Sequence, residues 1–159
     1  MDFGEIISLI QATIAPDVLI SSCALLCLVI QTRYGRVVDR IRTFNQEHFD
    51  LRKSKSSSKY GADYEKRIEE IKIEIAMLVK RGNFLKLSLF SLFSAILGFI
   101  LTSFLIFLAY LLNIAGIYPA SIVTFSIGLL LLIAGVMYAI REVSVSYAAV
   151  IHETKSEQY

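Results

Sequence analysis

The hydrophobic pattern divides the chain into three long apolar stretches and one polar, periodic region. A helix needs roughly 20 apolar residues to cross the hydrocarbon core of a bilayer. Three stretches approach or meet this length, at residues 16–32, 84–112 and 120–141. The run from Leu87 to Ile140, which covers most of the last two, contains no Asp, Glu, Lys or Arg. We therefore predict an all-α membrane protein with three transmembrane helices.

The polar residues 33–83 predict two further helices between spans one and two. Their apolar positions lie three and four apart, which indicates two amphipathic helices packed as an antiparallel, coiled-coil-like hairpin. The serine-rich segment 53–59 has the chemistry of a turn and is expected to form the tip of this hairpin. Since no Pro or Gly cluster separates the hairpin from the spans, each helix is expected to continue into its span. The predicted seam residues are Tyr34, Val37, Ile41, Phe44 and His48 with Tyr64, Ile68, Ile71, Ile75 and Leu78.

The remaining segments connect or flank the spans. Residues 113–119 are short and contain Gly116 and Pro119, so they predict an external turn between spans two and three. Residues 142–159 are expected to form a C-terminal helix and tail. Residues 1–15 carry apolar residues at helical spacing and predict a short helix in the outer membrane interface. An extension of the first span that bends at Pro16 explains the same pattern.

The distribution of basic residues predicts the orientation in the membrane. Thirteen of the sixteen Lys and Arg lie between Arg33 and Arg81, and basic residues near span ends stay on the cytoplasmic side. The N-terminus is therefore expected outside and the C-terminus in the cytoplasm. A cleaved signal peptide requires a basic N-terminal region, and this one is acidic. The net charge of +2 is too small to indicate a nucleic-acid partner.

One stretch of the sequence resembles a known family. It reads Gln31-Thr-Arg33-Tyr-Gly-Arg36-Val-Val-Asp39-Arg40-Ile-Arg42 and is preceded by Ile14-Ala-Pro16-Asp-Val-Leu-Ile. This stretch is similar to the signature of domain-of-unknown-function family 2721, small bacterial membrane proteins with three predicted spans. The resemblance implies the three-span fold and a location in the bacterial cytoplasmic (inner) membrane. It implies no activity.

Three arginines of that stretch form a candidate anion site. Arg33, Arg36 and Arg40 lie at i, i+3 and i+7 and so share one helix face just beyond the first span. They are interpreted first as an anchor that follows the positive-inside pattern. A second interpretation is a site for phosphate groups of anionic lipid or a phosphorylated ligand, because guanidinium groups bind phosphate bidentately. A third is an arginine ring at the mouth of an oligomeric pore.

The first span offers a candidate path for ions. Asp17, Ser21, Ala24 and Leu28 share one helix face. If several copies assembled around this face, they would form a carboxylate ring, a hydroxyl ring and an apolar constriction, which favours cations. Asp17 directly follows Pro16 in the first turn of the span, so a capping role at the positive end of the helix dipole is the alternative.

Spans two and three each carry a stripe of small residues, which is the usual signal for close helix contacts in lipid. Whether these contacts form within one chain or between chains is open at this point. The predicted packing residues are Ser91, Ala95 and Gly98 in span two, and Ala120, Thr124, Gly128 and Gly135 in span three.

The sequence offers little material for catalysis. Cys23 and Cys27 lie four residues apart, but the same span holds no histidine or third thiol to complete a metal site. His48 and His152 belong to no recognisable triad or metal set, and no Gly-rich loop of the phosphate-binding type occurs. We expect no enzyme activity, no cofactor and no bound metal.

The function hypothesis combines these features. We expect a homo-oligomeric membrane channel or channel-like protein that favours cations, with transmembrane helix 1 lining the path. The alternative is a non-conducting membrane adaptor whose cytoplasmic hairpin binds a protein partner or anionic lipid.

Overall fold

A computed structural model describes residues 3–54, 61–112 and 114–156 of the chain. Side chains are described at residues 4, 7, 10–51, 53, 67–112, 114 and 116–146. Residues 55–59 of the predicted serine-rich tip, the side chain of Tyr64 and Asn113 of the predicted turn lie outside these residues, as do residues 157–159.

Three long helices make up the described chain. They are α1 (Phe3–Ser54), α2 (Gly61–Leu112) and α3 (Tyr118–Ser156), and a 3₁₀ turn, Ala115–Ile117, precedes α3. The all-helical prediction is confirmed, and so is the prediction that the hairpin helices continue into spans one and two. Each of the three helices is long and apolar enough to cross a membrane by length and composition.

The N-terminal residues of α1 do not form a separate short helix. The helix runs without interruption from Phe3 through Pro16, whose ring is buried. Proline inside a helix removes one backbone hydrogen bond, but here the helix continues on both sides of it. Residues 3–15 are therefore continuous with the first span, and their placement in a membrane interface stays a prediction. The alternative that Asp17 caps the first turn of its helix is wrong, because α1 begins at Phe3.

The connection between α2 and α3 is shorter than the predicted turn of residues 113–119. The backbone N–H of Ile114 donates to the carbonyl of Ala109 at 3.2 Å, and that of Ile117 donates to the carbonyl of Ile114 at 3.2 Å. These bonds close the end of α2 and the 3₁₀ turn, so that α3 already begins at Tyr118.

The chain divides into two compact units. The first, which we call the apolar unit, comprises Met1–Ile30 and Leu87–Ala139. Its core is built around Cys23 of α1 with Ala95 and Phe99 of α2, and the ring of Phe99 lies 5.7 Å from that of Phe125 of α3. Many large apolar side chains of this unit are exposed, as expected for helices surrounded by lipid. They include Leu25, Phe90, Leu97, Leu111, Ile122 and Leu130.

The second unit, which we call the charged unit, comprises Gln31–Lys86 and Ile140–Tyr159. Here α1 and α2 pack side by side in opposite directions, since Glu47 pairs with Arg67 while Val37 lies next to Gly82. The predicted seam agrees with the burial: Val37, Phe44 and Ile71 are buried, and the other described seam positions are half-buried. A periodic apolar pattern in a polar segment thus predicted the packed face correctly.

Candidate functional site

The predicted ion-path residues lie on an exposed face of α1. Asp17, Ser21, Ala24 and Leu28 are all exposed, whereas Cys23 and Cys27 on another face of the same helix are buried. The four residues are therefore on one outward surface of the apolar unit, as the helical spacing predicts. Nothing within the described part of a single chain closes this surface into a channel.

Asp17 has a polar neighbour on α2. The hydroxyl of Ser103 donates a hydrogen bond of 3.3 Å to Oδ1 of Asp17. The hydroxyl of Ser21 donates to the backbone carbonyl of Asp17 at 3.3 Å, so this donor is used within α1. A carboxylate on the side of an apolar helix is costly in lipid unless a polar partner or water reaches it. Asp17 is thus the residue of this face that most requires a polar environment.

The predicted arginine row does not act as three equivalent cations. Nη1 of Arg33 donates a hydrogen bond of 3.3 Å to Oε2 of Glu142 on α3. The guanidinium of Arg40 lies over the ring of Phe44, 5.0 Å from its centre, in a cation–π contact. Arg36 is exposed and forms no ion pair among the described residues. In this row, Arg33 is paired with a carboxylate, Arg36 is exposed to its surroundings and Arg40 is stacked on a ring.

Glu142 is the functional candidate that sequence reasoning missed. Its side chain is only 3% exposed, and its Oε1 accepts hydrogen bonds from Nε and Nη2 of Arg81 at 3.2 and 3.0 Å. Its other oxygen accepts the bond from Arg33. We call the group of Arg33 from α1, Arg81 from α2 and Glu142 from α3 the Glu142 clamp. It joins all three helices within the charged unit.

The burial of Glu142 explains why it needs two arginines. A buried carboxylate pays a large desolvation cost, which is recovered only when its oxygens are well paired. Arg81 is 26% exposed and supplies two of the three bonds, whereas Arg33 is 47% exposed and supplies one. One sequence signal was present: Glu142 follows almost directly after the charge-free run, and it is the only acidic residue between positions 75 and 152.

The small-residue stripes meet within one chain. A Cβ added at Gly98 of α2 would lie 3.3 Å from Cα of Gly128 on α3. Added Cβ atoms at Gly128 and Gly135 would lie 2.9 Å from side-chain carbons of Phe99 and Leu92, respectively. Such distances leave no room for a side chain, so these glycines allow the two helices to approach closely.

Hydroxyl groups add polar links to this contact. The hydroxyl of Ser88 donates to the backbone carbonyl of Gly135 at 2.6 Å, and those of Thr102 and Thr124 share a hydrogen bond of 3.0 Å. Of the remaining predicted packing residues, Ala95 is buried, Ser91 is half-buried and Ala120 is exposed. Because the stripe of α2 packs against the stripe of α3, these stripes do not by themselves indicate contacts between chains.

A further ion pair lies farther along the charged unit. Arg67 of α2 donates to Oε1 of Glu47 on α1 from Nε and Nη2, at 3.2 and 3.0 Å, and its Nη1 lies 3.5 Å from Oε2 of Glu70. The hydrogen bond and the charge of Glu47 raise the pKa of the Arg67 guanidinium above its usual value. These groups are partly exposed, so the pair aligns the helices without a large contribution to stability.

The described residues include no group of three or more His, Cys, Asp or Glu that could hold a metal ion.

The comparison with protein families identifies the chain's relatives. Residues 13–151 match the family described as "Protein of unknown function (DUF2721)". The chain belongs to this family. The DUF2721 match covers most of the chain and includes the exposed face of α1, the Glu142 clamp and the α2–α3 glycine contact. It confirms the resemblance seen in the segment around Arg33. No curated protein and no solved structure matches the chain.

Proposed function

We propose that this protein forms a homo-oligomeric channel in the bacterial cytoplasmic membrane, with α1 lining a path for cations. The N-terminus lies outside and the charged unit lies in the cytoplasm, in line with the distribution of Lys and Arg. The observation that carries the proposal is the exposed carboxylate of Asp17 on the outward face of an apolar helix.

An oligomer supplies the polar environment that Asp17 requires. If copies assemble with this face of α1 towards a common axis, the carboxylates form a ring at the outer end of the path. Carboxylates that converge in this way repel one another and relieve their repulsion by binding cations. Ser21 and Ala24 follow along the path, and Leu28 forms its narrowest, apolar part.

In this arrangement, the small-residue stripes of α2 and α3 pack against each other within each chain and are not needed for contacts between chains. Each copy then enters the oligomer as a preassembled bundle, in which α2 and α3 support α1 from behind. The path needs several copies, because the face of a single α1 has no opposite wall. Oligomers of this kind generally have closed cyclic symmetry.

Two measurements test the proposal. Native mass spectrometry from mild detergent is expected to show one discrete multimer of the 17.9 kDa chain. Planar bilayers containing the purified multimer are expected to pass a cation-selective current. A monomer in several detergents and in lipid nanodiscs would exclude the path, and silence of the assembled multimer across voltages, pH values and lipid compositions would exclude conduction.

A second function is favoured by the surface of the charged unit. Ile73 and Met77, one turn apart on α2, are 55% and 44% exposed, and Phe49 on α1 is 67% exposed. Apolar side chains on an otherwise polar surface are typical of contact sites for other molecules. The corresponding function is a non-conducting adaptor, whose cytoplasmic hairpin binds a protein partner or anionic lipid. A silent multimer that loses its binding in an Ile73→Ser, Met77→Ser double variant would favour the adaptor.

A further inference from the structure

Basic side chains outnumber acidic ones where the charged unit adjoins the apolar stretches of the sequence. The three segments concerned are residues 31–36, 81–86 and 140–145, which are the six charged-unit positions next to each apolar stretch. Together they contain five basic residues and one acidic residue, Glu142. The basic residues are Arg33, Arg36, Arg81, Lys86 and Arg141. The region therefore keeps a large positive excess after Glu142 is paired.

Arg33 is placed to bind a ligand in addition to Glu142. Its side chain is 47% exposed, and the described structure records a single hydrogen bond from it, the 3.3 Å bond from Nη1 to Glu142. A guanidinium has five N–H donors, so most of the Arg33 donors remain available. Arg36 is exposed and lies three residues on, which places it on the same face of α1.

Glu142 holds Arg33 without neutralising the region. Its Oε1 is already occupied by two bonds from Arg81, so only Oε2 serves Arg33. One carboxylate is thus shared between two guanidinium groups. This fixes the direction of the Arg33 side chain and leaves its outer donors available, and Arg36 next to it forms no ion pair among the described residues.

The geometry points to a phosphate ligand. Two guanidinium groups three residues apart provide planar pairs of donors, which match the oxygens of a phosphate better than a lysine ammonium does. In a chain whose helices cross a bilayer, the ends of the apolar stretches lie at the depth of the lipid headgroups. We propose that Arg33 and Arg36 bind the phosphate of an anionic lipid headgroup, with Glu142 as the positioning residue for Arg33. This site deepens the lipid-binding part of the adaptor function and rests on that part, but it does not depend on conduction.

The test compares lipid binding to the intact chain and to matched variants. Protein in neutral phosphatidylcholine nanodiscs is titrated with phosphatidylglycerol, and the bound lipid is counted by native mass spectrometry. Arg36→Gln is expected to weaken phosphatidylglycerol binding about 10-fold, since a hydrogen-bonded charge pair contributes about 1.5 kcal/mol or more. Arg42→Gln is the control, because it removes the same charge from the same helix at a residue that pairs with Asp39 at 3.9 Å. Equal losses in both variants would overturn the site in favour of a general positive surface.

Glu142→Gln separates positioning from net charge. This variant makes the region more positive, so electrostatics alone predicts tighter binding of an anionic lipid. Positioning predicts weaker binding, because the amide holds Arg33 less firmly. Tighter binding in a variant that keeps the melting profile of the parent would overturn the role of Glu142, and the Arg36→Gln result still decides the site if Glu142→Gln does not fold.

Two further arms distinguish the source of the phosphate and the two functions. Inorganic phosphate at the same concentration is expected to leave lipid binding unchanged, and displacement of the lipid by it would overturn the assignment to a headgroup. Bilayer currents are recorded from the same preparations. Loss of lipid selectivity with an unchanged current would overturn the lipid site and leave the channel proposal intact. Absence of current with retained lipid selectivity would overturn the channel proposal and leave the lipid site intact.

Discussion

The apolar unit and the charged unit are built from the same three helices, but they hold them together by different contacts. In the apolar unit, α2 and α3 approach at Gly98 and Gly128, and short hydroxyl bonds link their backbones and side chains. In the charged unit, a seam of larger apolar residues is buried, and the Glu142 clamp joins all three helices.

The difference follows from the surroundings that each sequence implies. Between helices in lipid, burying a leucine gains little, so close backbone contact and polar links provide the association. A polar helix pair in water gains free energy from removing apolar surface, and large seam residues provide it. Glycine is therefore needed for close packing in the apolar unit, and bulky apolar residues are needed in the seam of the charged unit.

The largest effect is expected for the Glu142 clamp. Arg81→Gln removes two of the three hydrogen bonds to a carboxylate that is 3% exposed. Breaking a buried ion pair from one side costs about 3–5 kcal/mol, and here the buried Glu142 charge would keep only the single bond from Arg33. Unfolding in detergent measures this free energy. A loss below about 1 kcal/mol, the range of exposed pairs, would show that solvent reaches Glu142 freely.

The seam of the charged unit is tested by two isoleucines on α2. Ile71 is completely buried and Ile73 is 55% exposed. Ile71→Ala is expected to lower the free energy of unfolding by about 2–5 kcal/mol through lost burial and a residual cavity. Ile73→Ala makes the same chemical change and is expected to cost less than about 1 kcal/mol. Similar melting shifts for the two variants would contradict the seam.

The glycine contact of the apolar unit is tested against a glycine of the charged unit. A Cβ at Gly128 would lie 2.9 Å from the buried ring of Phe99, whereas a Cβ at Gly35 would meet nothing within 4 Å. Gly128→Ala is expected to destabilise by about 1–3 kcal/mol through overpacking. Gly35→Ala is expected to stabilise by up to about 1 kcal/mol through helix propensity. Thermal melts of both proteins check the opposite signs, and stabilisation in both would mean that α2 and α3 are not closely packed.

The smallest effect is expected at the outer ion pair of the charged unit. Arg67→Gln removes the bonds to Glu47 and Glu70, but these groups are roughly 40–50% exposed. Exposed pairs contribute about 0.2–1 kcal/mol, and salt screens them. The same detergent melts at low and high salt measure the effect. A cost comparable to that of Arg81→Gln would remove the distinction between this pair and the Glu142 clamp.

Much of the fold follows from periodicity, whereas the site depends on contacts between distant residues. The seam positions Val37, Phe44 and Ile71 were predictable because burial of one helix face imposes a spacing of three and four. Arg33 and Glu142 are 109 positions apart, and no local pattern links them. The stripe containing Gly98 predicted a close contact, but only the fold shows that Gly128 of the same chain occupies it. Helical periodicity tells which face is buried, and it does not tell which partner buries it.

The reversal potential of Asp17→Asn tests whether the exposed face of α1 lines a cation path. The amide keeps the shape of the side chain and removes the charge. Under a salt gradient, the parent protein is expected to be cation-selective, and Asp17→Asn is expected to shift the reversal potential towards zero with the same multimer. Asp39→Asn, on α1 but in the charged unit, is the matched control and is expected to keep the parent value. Unchanged selectivity in Asp17→Asn would show that this face does not line a cation path and would leave Asp17 as the acceptor of the Ser103 hydrogen bond.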